Sequence, residues 1–294
     1  MLTGSTTAGI TVETDANVRI ILAGAEISSS DTAAINVISA DNVELELQDG
    51  TTNTVKDTSN HTDTNIEGAI HVEADLTITG NGSLTVEGNF QDGIVSTDDL
   101  VIDAGNITVT AVDDKDSLTI NGGTINVTAG GDGIKSTNDT DTTKGYTTIT
   151  GGEITVKAGD DGIKAETALT INGGTISVPE SVEALEGTNI TINGGTIDVY
   201  GSDDAINAAS TMSSDIFIKV TGSDLTVAVG SGDTDAFDAN GDIYISGGTI
   251  DVTAQSAFDF DGTAELTGGT VTVNGEQITQ ITATGPGAGG HGGW

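Results

Sequence analysis

The residues best placed to do chemistry in this sequence are acidic, and they recur at regular spacing. Seven phrases align: Gln91-Asp-Gly-Ile94, Gly131-Asp-Gly-Ile134, Asp160-Asp-Gly-Ile163, Val182-Glu-Ala-Leu185, Asp203-Asp-Ala-Ile206, Thr234-Asp-Ala-Phe237 and Gln255-Ser-Ala-Phe258. Their second position forms a column of Asp92, Asp132, Asp161, Glu183, Asp204 and Asp235. With the closing apolar residue inward, the residue after it points outward, giving Lys135, Lys164, Glu186, Asn207, Asp238 and Asp259. Thr137, Glu166, Thr188, Ala209, Asn240 and Asp261 follow on the same side. Carboxylates stacked about 5 Å apart repel by roughly 3 kcal/mol per pair at an effective dielectric near 20. Such columns call for a cation. Calcium suits them, because it takes about six to eight oxygen ligands in flexible geometry and can share oxygens from adjacent turns. Magnesium's octahedron fits less readily, and zinc would want His or Cys. The expected calcium ligands are Asp161, Glu183, Glu186, Asp203, Asp204, Asn207, Asp235, Asp238, Asn240 and Asp259. The bland alternative is that Asp-Gly and Asp-Ala merely form a corner, since both Asp and Gly favour tight turns.

The elements that must position these acids are read from an internal repeat. Leu118-Thr-Ile-Asn-Gly-Gly-Thr-Ile125 recurs as Leu169-Thr-Ile-Asn-Gly-Gly-Thr-Ile176 and Ile190-Thr-Ile-Asn-Gly-Gly-Thr-Ile197, with variants further on. The second glycine falls at Gly123, Gly152, Gly174, Gly195, Gly248 and Gly269, and its closest copies lie 21 or 22 residues apart. A fixed period of this size marks a solenoid. Each repeat holds three short alternating segments, as in Ile163-Lys-Ala165, Leu169-Thr-Ile171 and Ile176-Ser-Val178, so each reads as a strand with one buried face. The predicted fold is therefore all-β: a right-handed single-stranded parallel β-helix with three short strands per coil and about ten coils. An antiparallel sandwich is the rival, because Asn-Gly is a strong hairpin signal, but it leaves the period unexplained. Residues 1–284 read as one β-helix domain and the Gly-rich 285–294 as a C-terminal tail.

Departures from the period are expected to be loops, at 138–146 and 210–215. One turn reads as too short. Between Val112 and Leu118 stand only Asp113-Asp-Lys-Asp-Ser117, where the pattern wants another buried apolar residue; a shortened turn, natural or engineered, would produce this. His61, His71 and His291 share no column and are expected to be solvated rather than ligands.

Composition excludes several functions. Eight Lys plus Arg against 45 Asp plus Glu give a formal charge of −37, which repels nucleic acid and anionic lipid alike. Membrane insertion is not expected, since no apolar run reaches about 18 residues. With no cysteine, disulfides and thiolate metal sites are excluded and the compartment cannot be read from cysteine usage. Aromatics are only 3% and the apolar set is mainly Ile, Val, Leu and Ala, which suits a narrow interior.

Four stretches carry a more specific likeness: Gly159-Asp-Asp-Gly-Ile-Lys-Ala165, the run from Val182 to Gly195, Asp203-Asp-Ala-Ile-Asn-Ala208, and Asp235-Ala-Phe-Asp-Ala-Asn-Gly241. With them the chain resembles bacterial secreted carbohydrate-binding proteins of pectate-lyase-like β-helix fold. The resemblance covers nearly the whole chain and implies calcium along the acidic edge and binding of cellulose or galacturonate-rich polymers. Ala184, Ala205 and Ala236 stand where that family usually has glycine. It also implies an extracellular or cell-surface protein whose signal peptide and N-terminal capping turn precede this sequence.

The expectation is a non-catalytic binder in which calcium bridges protein carboxylates to acidic plant cell-wall glycan, with Lys135, Lys164 and Glu166 at the carbohydrate contact. The lysines have a structural alternative as salt-bridge partners of Glu166 or Glu186. Two other functions stay open. A calcium-stabilised rod would self-associate end to end through uncovered terminal coils. A calcium-dependent polysaccharide lyase would need an Arg or Lys base, and the only arginine, Arg19, is remote from the acidic edge. No catalytic residue is assigned.

Overall fold

The structure is a computed structural model and describes residues 1–138, 140–232 and 234–284. Among these, 32 strands and no helix form one long sheet of parallel pairings, consistent with a β-solenoid. The predicted tail at 285–294, with His291, lies outside the described residues.

The apolar alternation produces aligned ladders. Val43 pairs with Leu76, Leu76 with Leu100, and Leu100 with Leu118, while a second series runs Leu84, Ile107, Ile125, Ile154 and Ile176. A third series carries the acidic phrases and stacks Ile70, Ile94, Val112, Ile134, Ile163, Leu185, Ile206, Phe237 and Phe258. All of these side chains are buried. The two phenylalanines end the third ladder as a stacked pair with ring centroids 5.2 Å apart. Branched aliphatic residues suit such ladders because each packs directly on its equivalent one strand away.

The Asn-Gly-Gly phrase makes a corner, not a hairpin. Gly174 and Gly195 have φ of 95° and 101°, a conformation that L side chains avoid. A Cβ on Gly195 would also lie 2.9 Å from the carbonyl oxygen of Gly174. The asparagines bond along the axis: Asn193 donates to Asn172 at 2.8 Å and accepts from Thr221 at 2.7 Å. Among the described residues one pairing is antiparallel, between Thr270–Val273 and Glu276–Ile278, and Thr284 then accepts backbone bonds from Ala257 and Phe258. Within the two expected loops, 140–145 and 210–215 leave the ladders, since strands resume only at Tyr146–Ile149 and Phe217–Val220.

The apparently short turn has a different anatomy from the one expected. Val112–Asp114 is a complete strand in the third series, paired to Ile94–Ser96 and Ile134–Ser136. The interior position that should hold an apolar residue holds Asp114, with no exposed surface, between Ser96 and Ser136. The contraction lies earlier, where only Thr110 and Ala111 separate Val109 from Val112.

Two further expectations fail. His61 and His71 are buried, not solvated. Segment 57–67 folds back over the strands: His61 contacts Asp57 at 3.1 Å and stacks on Phe90 with centroids 4.5 Å apart, and Glu67 reaches Lys115 at 3.4 Å. The Glu67 N–H donates to the His71 ring at 3.3 Å, which sets this return against the head of the outward column.

Candidate functional site

The predicted outward column exists and is longer than expected. Register places Asn36, His71, Val95, Asp113, Lys135, Lys164, Glu186, Asn207, Asp238 and Asp259 in line on consecutive paired strands. Beside it runs the corner column, in which the backbone N–H of Asp161 donates to Asp132 at 3.3 Å and that of Asp235 donates to Asp204 at 2.7 Å. At the contracted corner Thr110 takes the place of an acid and accepts a bond from the Gly88 N–H at 2.9 Å.

Lysines lace the middle of this edge. Asp113 is fully buried and is held by Lys115 at 2.5 Å and Lys135 at 3.8 Å, while Lys135 also approaches Asp132 at 4.0 Å. Lys164 contacts Asp161 at 2.8 Å and also pairs with Glu186. Burial alone would lower the Lys164 pKa, but its hydrogen bonds to Asp161 and Glu186 outweigh this and raise it, so the amine stays protonated. Asp161, Glu183 and Glu186 bring ligand oxygens within 4.8 Å of one another, as do Asp132, Asp160 and Asp161. Asp161 was among the expected ligands and Asp132 in the expected column, whereas Asp160 and Lys115 were not assigned a role from sequence.

Beyond Glu186 the character of the edge changes. Glu183, Asp204 and Asp238 make no salt bridge to Lys or Arg among the described residues. Burial raises Glu183 to about 7, the Asn207 amide bond opposing this and Asp161 and Asp204 adding repulsion. Asp238 is also raised to about 7, by burial and then by Asp204, Asp235, Asp259 and Glu183. Asp204 rises by burial against the bond from the Asp235 N–H. The register sets Asn207, Asp238 and Asp259 in line, so these side chains stand on neighbouring strands. Ser256 donates to Asp235, and Asp259 accepts from the Phe260 N–H at 3.0 Å. The Asn207 side-chain oxygen is buried in this group without a hydrogen-bond donor.

The sequence-predicted ligands thus divide. Glu183, Asp204, Asn207, Asp235, Asp238 and Asp259 lie on neighbouring turns of this edge, where the charge of Lys164 still reaches Glu183. Asp161 and Glu186 sit at Lys164. Asp203 is exposed and acts on the group only by repelling Asp204. Asn240 is exposed past the end of its strand. Of the expected carbohydrate contacts, Lys164 is tied into its ion pairs, and Lys135 is more loosely held between Asp113 and Asp132. Glu166 pairs with neither lysine among the described residues; its carbonyl accepts from the Thr188 hydroxyl at 2.7 Å.

Residues 1–236 match the family model described as carbohydrate-binding domain-containing protein. The chain belongs to that family. A relative from Acetivibrio thermocellus, also described as a carbohydrate-binding domain-containing protein, is 40% identical over 97 residues, which is 31% of this chain and 34% of the relative. The chain therefore matches about a third of the length of that curated relative. A solved structure of a polysaccharide lyase-like protein from C. thermocellum, a gadolinium derivative, is 24% identical, covers 94% of this chain and 89% of its own, and has a TM-score of 0.45.

Proposed function

We propose that this carbohydrate-binding chain is an extracellular, calcium-dependent binder of acidic plant cell-wall polysaccharide. Its frame is a right-handed parallel β-helix with three strands per coil, the hand that parallel crossovers take in about 98% of cases. The observation that carries the calcium reading is the buried Asn207 side-chain oxygen. It has no hydrogen-bond donor among the described residues and lies beside Glu183 and in register with Asp238, carboxylates that form no ion pair with lysine among those residues, although the Lys164 charge still reaches Glu183. A neutral amide oxygen surrounded by carboxylates is the donor set of a hard divalent cation. Asp235 and Asp259, on the neighbouring strands, would offer further carboxylate oxygens to such a cation. Calcium bound here would supply positive charge for the uronate carboxylates of a pectic chain.

A binder is favoured over a lyase by the state of Lys164. A base that removes a proton next to a uronate must itself be unprotonated, and Asp161 and Glu186 hold this amine in its charged form. The test is polygalacturonate binding by affinity electrophoresis in calcium and in EDTA. Binding is expected in calcium and lost in the chelator, and Asp238→Asn and Asn207→Leu should each weaken it at least tenfold. Full affinity in EDTA would refute the mechanism.

A further inference from the structure

The contracted corner shapes the surface in a way that the calcium reading does not use. Val109 is in register with Val86 and Val127, and Val112 is in register with Ile94 and Ile134. The chain joins Val109 to Val112 through Thr110 and Ala111 alone, while its neighbours cross the same interval through 87–93 and 128–133. Both ends being fixed, the short link must run directly while the longer ones bulge outward on either side. The result is a notch of about 350 Å³ across the rod. Thr110 and Ala111 form its floor, Gly88, Gln91 and Asp92 one wall, and Gly130, Gly131 and Asp132 the other, with Lys135 and Asp160 at its margin.

The first wall is held rigidly. Asn89 donates its backbone N–H to the buried Asp57 at 2.5 Å and its side-chain amide to the Asp57 carbonyl at 3.2 Å, and Phe90 is stacked on His61. The short link is tied to both neighbours: the N–H groups of Gly93 and Ile94 donate to the Ala111 carbonyl, and the Val112 N–H donates to the Gly133 carbonyl. A notch fixed this way is formed before any ligand arrives, which lowers the ordering cost of binding.

We propose that this notch is a calcium-independent subsite for an uncharged sugar residue of a polysaccharide chain. Sugar hydroxyls would donate to the carboxylates of Asp92, Asp132 and Asp160, giving charge-assisted hydrogen bonds, and Lys135 would donate to a ring or hydroxyl oxygen. The methyl groups of Ala111 and Ala129 offer apolar contact to the C–H edges of the ring. A uronate is disfavoured here, because three carboxylates and one amine line the space. The inference rests on carbohydrate binding as the family's activity and not on the metal.

The test uses Gly131→Trp and, independently, Gly130→Trp. A Cβ at either glycine meets nothing within 4 Å, and neither has a left-handed φ, so each indole can occupy the notch without disturbing the fold. Titration calorimetry is run with cellohexaose, xylohexaose and mannohexaose in EDTA, and with hexagalacturonate in calcium. At least one uncharged hexaose should bind the unmodified protein in EDTA. Both tryptophan variants should weaken that binding at least tenfold and leave hexagalacturonate binding unchanged. The proposal is overturned if none of the three hexaoses binds, or if both correctly folded variants bind them as the unmodified protein does. Hexaose binding blocked by the tryptophans, alongside no calcium-dependent hexagalacturonate binding, would overturn the calcium reading while supporting the notch.

Discussion

Replacing Asp114 by Asn should stabilise the protein, and by an amount that depends on pH. Asp114 is completely buried at an interior position. One carboxylate oxygen accepts from the Asp116 N–H at 2.9 Å and the Ser136 hydroxyl at 3.2 Å, and the other is buried without a partner. Burial, opposed by these bonds, pushes its pKa from the ordinary 3.8 up to about 8. Below pH 3.8 both folded and unfolded chains hold the proton and the group costs nothing. As pH rises the unfolded chain releases a proton that the folded chain keeps, so stability falls until about pH 8 and is lowest above it.

From 3.8 to neutral pH is about three pH units, and each corresponds to about 1.4 kcal/mol, so the penalty at pH 7 is roughly 4 kcal/mol. Asparagine keeps the acceptor for Ser136 and Asp116 and carries no charge at any pH. Asp114→Asn should therefore raise the guanidinium midpoint strongly at pH 8 and little at pH 4, both in EDTA to exclude metal effects. Comparing variant and parent at each pH cancels the contributions of the other carboxylates. An equal effect at both pH values, or destabilisation at pH 8, would refute the argument.

Lys164→Met should destabilise the calcium-free protein by about 2 kcal/mol, because it strips the cation from two mostly buried carboxylates. Calcium should restore much of this loss, so the calcium-induced rise in Tm will be larger in the variant than in the parent; equal rises would count against the site geometry. Gly195→Ala should lower stability by at least about 1–2 kcal/mol, since it forces a side chain into the left-handed region and against Gly174, whereas Gly131→Ala should be close to neutral by thermal melting. His61→Ala should release the return over the rod and speed proteolytic cleavage within 58–66 at least tenfold, as read by mass spectrometry of the fragments.

The repeat was legible because its signals are backbone requirements. Every second glycine of the Asn-Gly-Gly phrase, from Gly123 to Gly269, has the positive φ that its spacing suggests. The outward run from Lys135 to Asp259 followed from alternation alone. Asp114 was illegible for the same reason: hydrophobic periodicity recognises an interior position by its apolar residue and passes over a carboxyl that stands in for one. That displaced the contraction toward Ser117 and hid Thr110, Lys115 and the notch. His61 escaped because alternation describes strands and says nothing of a loop that folds back over them. Asn240 was assigned by continuing the alternation past the end of its strand, and Glu166 by continuing it into the irregularity between Ala165 and Ala168, where the alternation no longer fixes direction.

In the proposed reading, the lysines divide one acidic edge between two chemistries. Seven of the eight basic side chains are lysines, and Lys115, Lys135 and Lys164 fall on neighbouring strands of the third series or just beyond one of them. Each sits against carboxylates that would otherwise repel. Where they stand, the protein supplies its own counter-ions, and a divalent cation must compete with a tethered amine. Glu183, Asp204 and Asp238 form no ion pair with such an amine among the described residues, and burial, with repulsion between carboxylates added to it, raises the pKa of all three. That repulsion is relieved by protons in acid and by a metal at neutral pH, so metal affinity here should rise with pH. The lysine-laced part carries the notch, and in the proposed reading its amines stand in for a metal and its carboxylates receive neutral hydroxyls. The placement of a few lysines along a repeated acidic edge therefore decides where charge must be borrowed from solution and where it need not be.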